Sequence, residues 1–282
     1  MTAATDAVLR LGDRPDVAPK VDAARDACTA LRWHEGLRRR TPEAAAESRV
    51  RGAHASGGLD GARLSLDIVR DLMRGAVTWH TELDPVEKVM RCAIAATAET
   101  EHVRALVTTA PLQALARLHL VGAAGLVDDA ALGRPRLGRE ECRELTDLGP
   151  AVPASEVPAR LAGLVELLGA LGSGVLPGAL VAAVVHAEIA TVRPFLRGNG
   201  LVARATERCV VQASGLDPTG VAVPEEGYAR LGGPAYVGAL AAYGTGSPEG
   251  VALWLGHACD AYVAGAAEGA AVADAVRAGR LG

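Results

Sequence analysis

Apolar residues recur every three to four positions through most of this chain, a spacing that is typical of amphipathic helices. Over residues 18–40, for example, Val21, Ala24, Cys28 and Leu31 fall close to helical spacing. The same pattern predicts helices over 41–57, 65–77, 85–109, 111–124, 158–171, 178–191, 201–214 and 247–266. Alternation of apolar and polar residues, the mark of a half-buried strand, is rare by comparison. The sequence therefore predicts an all-α protein with at most one small β-hairpin.

Turn and capping residues indicate where these helices begin and end. Thr41 is predicted to cap the second helix, with Pro42 in its first turn, and Asp84-Pro85 introduces the helix that starts at 85. Turn-forming residues over 125–138 predict a loop or a short hairpin. Three prolines make 147–158 the best candidate for an internal linker.

The two ends of the chain differ from its middle. Residues 1–16 contain several turn formers and residues 267–282 are rich in Ala and Gly, so both ends are predicted to be frayed. These signals together predict three parts: a helical N-terminal extension over 1–40, a helical domain over 41–266, and a flexible tail over 267–282.

Composition favours a folded core made of small side chains and argues against nucleic acid as a partner. Hydrophobic residues make up 50% of the 282 residues but aromatic residues only 3%, so Ala, Leu and Val must build the core. The formal net charge is −4, whereas general nucleic-acid binders carry a basic excess. The run Arg38–Arg40 is expected to be a solvated group of charges at a helix end.

The cysteines and the hydropathy pattern point to a cytosolic protein without a membrane partner. Five cysteines occur without C-x-x-C spacing, and the N-terminus does not resemble a signal peptide, so reduced, buried thiols are expected. No window approaches about 18 uninterrupted apolar residues, the minimum for a membrane-spanning helix. The histidines His54 and His119 have no companions at metal-ligand spacing, and no metal site is predicted.

The strongest chemical signal is a Gly198-Asn199-Gly200 turn that leads into a predicted helix. Pro194 should end the preceding helix because proline lacks an N–H group and crowds the turn before it. A turn of this kind leaves several backbone N–H groups at a helix N-terminus, where the helix dipole favours an anion. Permanent positive charge surrounds the same turn, from Arg193, Arg197 and Arg204. The residues therefore predict a phosphate-binding site.

The stretch from Arg193 to Arg204 resembles the signature of the Fic (Fido) family, which reads HPFx(D/E)GNGRxxR. It aligns without a gap, and the matching residues are Pro194, Phe195, Gly198, Asn199, Gly200 and Arg204. The resemblance implies a mainly helical fold, and Fic enzymes typically transfer AMP from ATP to a protein hydroxyl.

Weaker similarities extend upstream of this stretch. Residues 184–189 resemble the helix that leads into the Fic signature, and 115–120 with 133–138 resemble the segment and hairpin flap that precede it. Ser56 to Gly61 resembles the self-inhibitory motif (S/T)xxxE(G/N), with Asp60 in place of glutamate. The resemblance implies that Asp60 contacts Arg204 when no nucleotide is bound and competes with phosphate for it.

Three positions depart from the Fic signature, and two of the changes remove chemistry. Arg193 replaces the histidine that acts as general base, and arginine stays protonated near neutral pH. Arg197 replaces the acidic magnesium ligand and would repel Mg²⁺, so the motif is not expected to bind this ion. Leu201 replaces the first phosphate-binding arginine. We therefore expect a module that binds ATP, another nucleotide or phosphate without ordinary AMP transfer.

Other interpretations of the same residues stay open at this stage. One alternative is a Fic-type nucleotidyl-, phosphoryl- or glycosyl-transferase that modifies a protein or small-molecule hydroxyl by an altered mechanism, with His186 as a substitute base. Another is a non-catalytic interaction scaffold. Gly198-x-Gly200-x-x-Ala203 also fits the dinucleotide fingerprint, but no strand precedes it. Arg204 has a plainer interpretation as a surface partner of Glu207, and Asp60-Gly61 as a simple turn.

Overall fold

The computed structural model describes residues 3–280, with side chains from Thr5 onwards, and these residues form thirteen α-helices. Their bounds are α1 Ala3–Gly12, α2 Ala18–Arg32, α3 Thr41–Leu59, α4 Leu66–Met73, α5 Pro85–Val103, α6 Leu106–Thr109, α7 Pro111–Gly122, α8 Val157–Ala170, α9 Gly178–Val192, α10 Asn199–Ala213, α11 Pro224–Leu231, α12 Gly233–Gly244 and α13 Pro248–Arg277. Helix accounts for 68% of the described residues, and these contain no sheet, only a bridge between Ala124 and Val127. The all-α prediction is confirmed.

Helix α9 lies at the centre of the fold because its sequence is apolar on every side. Twelve of its fifteen residues are buried, and a helix of this kind needs neighbours on each face. Helix α10 follows after a short loop and packs along α9, while α8, α12 and α13 cover the other sides of α9. Helices α5 and α7 pack on α10, and α3 packs on α5. This arrangement fixes the loop between α9 and α10 on a rigid base.

Small residues allow very close helix packing, as the composition predicts. A Cβ atom on Gly227 of α11 would lie 2.0 Å from the carbonyl oxygen of Ala261 in α13. A Cβ on Gly265 of α13 would lie 2.7 Å from the carbonyl oxygen of Val223. Real Cβ atoms do not approach backbone so closely, so glycine is required on both sides of this α11–α13 contact.

Helix ends follow the capping signals only in part. Asp84 and Glu87 form a capping box at the start of α5. Thr41 lies inside α3, so its prediction as the cap is wrong, and its hydroxyl donates to the carbonyl of Leu37 instead. Helix α2 ends at Arg32 rather than near residue 40, because a 3₁₀ turn follows and Arg39 adopts a left-handed φ of 64°.

Three helices are absent from the sequence prediction. Helix α1 lies within residues 1–16, which were expected to be frayed, and it forms because buried Val8 packs into the main core; residues 1 and 2 lie outside the described part. Helices α11 and α12 are interrupted by glycine in sequence, yet Tyr228 and Tyr236 anchor them in the core. Tertiary packing overrides weak local propensity at these places.

The prediction of a flexible tail from residue 267 is wrong for the residues up to Arg277. Helix α13 continues to Arg277, and Val272, Ala273 and Val276 are buried against α2 and the residues that follow it. Residues 281 and 282 lie outside the described part. The boundary at residue 40 stays a prediction, and α2 packs along α13.

The segment from 123 to 156, which connects α7 to α8, contains no α-helix and no hairpin. The hairpin flap implied by the resemblance is therefore absent over 125–138, and the loop alternative is what forms. All five cysteines are free, and all except Cys142 are buried. Among the described residues, no helix combines the length and hydropathy that a membrane crossing requires.

Candidate functional site

The loop between α9 and α10, residues 193–198, is called the motif loop below. It begins and ends with left-handed residues: Arg193 has a φ of 51° and Gly198 a φ of 85°. Such a conformation is strained for arginine and free for glycine. A Cβ on Gly198 would also lie 3.1 Å from the carbonyl oxygen of Gly122, so glycine is required there.

The Asn199 side chain shapes the motif loop from inside. Its Oδ1 accepts the backbone N–H of Phe195 at 2.8 Å, and its Nδ2 donates to the carbonyl of Phe195 at 3.0 Å. Asn199 is fully buried, and Phe195 is buried beside it. Asparagine is needed at this position because one side chain must offer both an acceptor and a donor to the same residue.

His119 of α7 holds the other side of the motif loop, a role that the sequence did not indicate. Its ring stacks on Phe195 with centroids 3.9 Å apart. The backbone N–H of Gly133 donates to Nδ1 at 2.9 Å, so Nδ1 is an acceptor and Nε2–H donates to the carbonyl of Arg197 at 3.1 Å. Burial lowers the pKa of His119 to about 4. The hydrogen bond to the Arg197 carbonyl acts to raise this pKa but is the smaller effect.

Arg204, one turn into α10, is 1% exposed and fully engaged by α3 and α12. Its Nε donates to Ser56 Oγ at 2.8 Å and its Nη2 to the Ser56 carbonyl at 3.1 Å. Its Nη1 donates to the hydroxyl of Tyr236 at 3.1 Å, and Nη2 forms an ion pair with Asp60 at 2.7 Å. The interpretation of Arg204 as a surface partner of Glu207 is therefore wrong.

Asp60 reaches Arg204 because it follows the last residue of α3, directly in front of the α10 N-terminus. Gly61 after it has a φ of 84°, which turns the chain away. A Cβ on Gly200 would lie 3.1 Å from Asp60 Oδ1, so the carboxylate sits over the bare backbone of Gly200. Burial lowers the pKa of Arg204, but the charge of Asp60, the interaction with Tyr236 and the hydrogen bonds to both residues together outweigh it, and the pKa is raised overall.

A second carboxylate, Glu144, occupies the N-terminus of α10 itself. Its Oε1 accepts the backbone N–H of Asn199 at 2.5 Å and Asn199 Nδ2 at 2.8 Å. Burial and the negative charge of Asp60 raise the pKa of Glu144, although its bonds to Asn199 work in the opposite direction. Sequence reasoning missed this residue because nothing local distinguishes Glu144 from its neighbours Glu140 and Glu141.

The two carboxylates close the site. The cavity between them has a volume of about 30 Å³, close to that of one water molecule, and its lining includes Asp60, Glu144, Arg193, Asn199, Gly200 and Arg204. Ligand pockets for small molecules measure roughly 300–1,000 Å³. In this form the site therefore has no room for a nucleotide.

The two substituted arginines take different positions. Arg193 is buried, lines the cavity, and donates from Nη2 to the carbonyl of Gly149 at 2.7 Å. Arg197 is partly exposed and does not line the cavity; its carbonyl accepts from His119, and its positive charge works to lower the pKa of Glu144. Of the three predicted arginines, the structure brings Arg193 and Arg204 together at the turn and leaves Arg197 outside.

Behind Arg204, a chain of buried hydrogen bonds runs away from the site. The hydroxyl of Tyr236 lies 2.8 Å from His186 Nε2, and His186 Nδ1 lies 2.9 Å from Glu207 Oε2. Arg204 can only donate, so the Tyr236 hydrogen goes to Nε2, and Nδ1–H donates to Glu207. Tyr228 and Tyr262 donate to the other oxygen of Glu207. His186 is a core residue with both nitrogens engaged, which leaves it no free lone pair to act as a base.

The donor set does not fit a magnesium ion. Mg²⁺ requires near-octahedral oxygen ligands. No group of three or more His, Cys, Asp or Glu side chains in the described part of the chain is arranged to hold a metal. The bonded oxygens of Asp60 and Glu144 already accept from Arg204 and Asn199.

Comparison with solved structures finds Fic proteins. The chain resembles a Fic family protein from Desulfovibrio desulfuricans G20, with a TM-score of 0.65 and 23% identity over 88% of this chain and 73% of that one. It also resembles Fic-1 (residues 134–508) of C. elegans, with a TM-score of 0.64 and 17% identity over 88% of this chain and 70% of that one.

A third match is a Fic domain containing signaling protein from Bacteroides thetaiotaomicron VPI-5482, with a TM-score of 0.65 and 14% identity over 90% of this chain and 98% of that one. No protein-family model and no curated protein matches the chain in sequence. The helical architecture and these structural matches together establish that the chain has the fold of a Fic domain.

Proposed function

We propose that this protein binds a phosphate-bearing ligand, a nucleotide in the first place, at the N-terminus of α10, and that it does not carry out ordinary AMP transfer. The observation that carries this proposal is the buried Arg204, which lies beside Gly200 and forms an ion pair with the Asp60 carboxylate. Arginine held beside a glycine turn at a helix N-terminus is suited to phosphate oxygens.

The exposure of Asp60 supports a site from which this carboxylate can move away to admit a ligand. The Asp60 side chain is 20% exposed, whereas that of Arg204 is 1% exposed, so the anion and not the cation is the partner able to leave. Gly61 follows it in a left-handed conformation with open space around it. When Asp60 swings into water, Arg204 keeps its bonds to Ser56 and Tyr236 and presents Nη2 to a new anion.

The arginine and the histidines around the motif loop do not supply the general base that the altered-transferase alternative assigns to His186. A general base must lie within hydrogen-bond reach of the proton that it removes and must have a free lone pair. Arg193 cannot accept a proton, and the nitrogens of His119 and His186 are engaged by other groups. A purely structural scaffold is then the competing outcome of the experiment below. A protein target and a cytosolic location remain predictions.

The test removes the charge of Asp60. In Asp60→Asn the site loses the anion that pairs with Arg204, so we expect micromolar-class binding of ATP, ADP or inorganic phosphate by calorimetry, at least tenfold tighter than in the wild type and without a requirement for Mg²⁺. The variant should also be less stable, since Arg204 is left without a charged partner, and ligand should restore much of the lost stability.

Asp67→Asn is the matched control, because Asp67 also pairs with an arginine, Arg70 at 2.6 Å, but is 87% exposed. This variant should bind as the wild type does. If the wild type, Asp60→Asn and Asp60→Asn combined with Glu144→Gln all fail to bind the phosphate ligands, with or without Mg²⁺, the proposal fails and the scaffold alternative is favoured.

A further inference from the structure

Residues 139–149, called the lid below, lie across the motif loop without forming a helix or a strand. Exposure alternates along 141–148: the odd-numbered residues face solvent and the even-numbered residues are partly buried. Glu144, Thr146 and Leu148 line the cavity at the α10 N-terminus. A period of two is the geometry of an extended strand with one face on the protein.

Beyond Glu140, the hydrogen bonds that tie the lid to the rest of the protein go to residues of the signature stretch. The backbone N–H of Arg143 donates to the carbonyl of Leu196 at 2.7 Å. Glu144 accepts from Asn199, and Gly149 accepts from Arg193. Arg193, which stands at the position of the Fic histidine, therefore holds the lid in place.

Two glycines with left-handed backbone bound the lid. Gly138 has a φ of 58° and Gly149 a φ of 75°, and neither has any neighbouring atom where a Cβ would stand. Just before the lid, Arg136 is buried and donates to the carbonyls of Arg193, Val192 and Val152. Arg136 also donates from Nη1 to the carbonyl of Glu140, and Glu140 forms an ion pair with Arg134 at 2.7 Å, so the chain is fixed up to Glu140. The part of the lid that can move is therefore 141–149.

We propose that the lid is a second internal competitor for the anion site, with the Glu144 carboxylate in the place of a ligand phosphate oxygen. This proposal rests on the proposed function and adds its regulation. Asp60 occupies the arginine of the site, and Glu144 occupies the N–H donors of Asn199. The two acids come from separate segments, so displacing one does not displace the other.

A ligand must therefore satisfy two conditions. It must outcompete Asp60 for Arg204, and it must lift the lid, since the cavity of about 30 Å³ holds no phosphate group while Glu144 is in place. The side chains of the two acids line one cavity, and their charges repel. Removing either charge should favour an external anion, and removing both should favour it further.

The experiment measures binding of ATP and of pyrophosphate by calorimetry in Glu144→Gln and Glu144→Ala, each in the wild-type and Asp60→Asn backgrounds. Glu141→Gln is the matched control, because Glu141 lies in the same lid, faces solvent and undergoes the same change of charge. Hydrogen exchange at the Arg143 amide reports the lid directly, without any ligand, since that amide is bonded to Leu196 only when the lid is closed.

We expect Glu144→Gln to bind at least tenfold more tightly than Glu141→Gln in the Asp60→Asn background, and Glu144→Ala to raise exchange at Arg143 at least tenfold. If Asp60→Asn binds and Glu144→Gln matches Glu141→Gln, the role of Glu144 is overturned while the anion site stands. If no variant binds, Asp60→Asn with Glu144→Gln included, the proposed function fails and this inference fails with it.

Discussion

His119 should make the stability of this protein depend on pH in a range where surface histidines have little effect. The ring is fully buried against Phe195, and its Nδ1 must keep a lone pair to accept the N–H of Gly133. Protonation in the folded state would break that bond. In the unfolded chain the same ring takes a proton freely.

The size of the effect follows from the two pKa values. The ordinary value of 6.5 applies to the unfolded chain, and burial lowers the pKa to about 4 in the folded protein. The folded state therefore binds fewer protons between these values, and the contribution of His119 to stability, complete above pH 6.5, is lost as the pH falls to 4. The difference corresponds to about 3 kcal/mol, which is a large share of the roughly 5–15 kcal/mol of a typical domain.

Urea denaturation of the wild type and of His119→Gln at several pH values between 7 and 4 measures this effect. The carboxylates titrate in both proteins and cancel in the comparison. At pH 7 the variant should be the less stable protein, because Gly133 loses its acceptor and Phe195 its stacking partner. The difference in unfolding free energy should shrink by about 3 kcal/mol towards pH 4.

His80→Gln is the control, because His80 is exposed and far from the motif loop in sequence. Its stability should follow that of the wild type within about 0.5 kcal/mol at each pH, as is usual for surface substitutions. Parallel curves for the wild type and His119→Gln would refute the reasoning, since they would mean that His119 takes up its proton equally in both states.

Two further predictions concern the core. Glu225→Gln leaves the buried Arg208 without its charged partner and should cost about 3–5 kcal/mol in urea unfolding, whereas Glu35→Gln, in an exposed ion pair, should cost less than about 1 kcal/mol; equal costs would contradict this. Gly227→Ala forces a Cβ against α13 and should lower stability by at least about 1–3 kcal/mol, while Gly169→Ala, in open space on α8, should raise it by about 0.5–1 kcal/mol in the same assay. A neutral Gly227→Ala would show that α11 can shift away from α13.

The helices that the sequence predicted best are those with both an apolar period and a clear start signal. Helix α5 has both, with the Asp84 cap before its apolar period. Helix α9 has no capping side chain and was found from its long apolar run alone. Helices α11 and α12 could not be found this way, since glycines interrupt them and their stability comes from Tyr228 and Tyr236 in the core. Local pattern does not contain that information.

The candidate site likewise has one part that the sequence predicts and another that it does not. The turn at Gly198–Gly200 was visible because glycine, asparagine and proline have local conformational meanings. The partners of the turn were not visible, because Glu144 and His119 reach it from 55 and 78 residues away in sequence. Only Asp60, placed by the family resemblance, anticipated a contact of this kind.

The internal carboxylates have a consequence for measured affinity. If the site binds phosphate as proposed, only molecules in which Asp60 and Glu144 have both withdrawn are competent, and the apparent dissociation constant equals the intrinsic one divided by that fraction. An open population of about 1% would weaken binding about 100-fold, with the turn itself unchanged. Substitutions far from any ligand contact, at the lid glycines for example, would then tune affinity through the open population alone. In this protein the measured affinity would depend on the free energy needed to move Asp60 and Glu144 away from the turn.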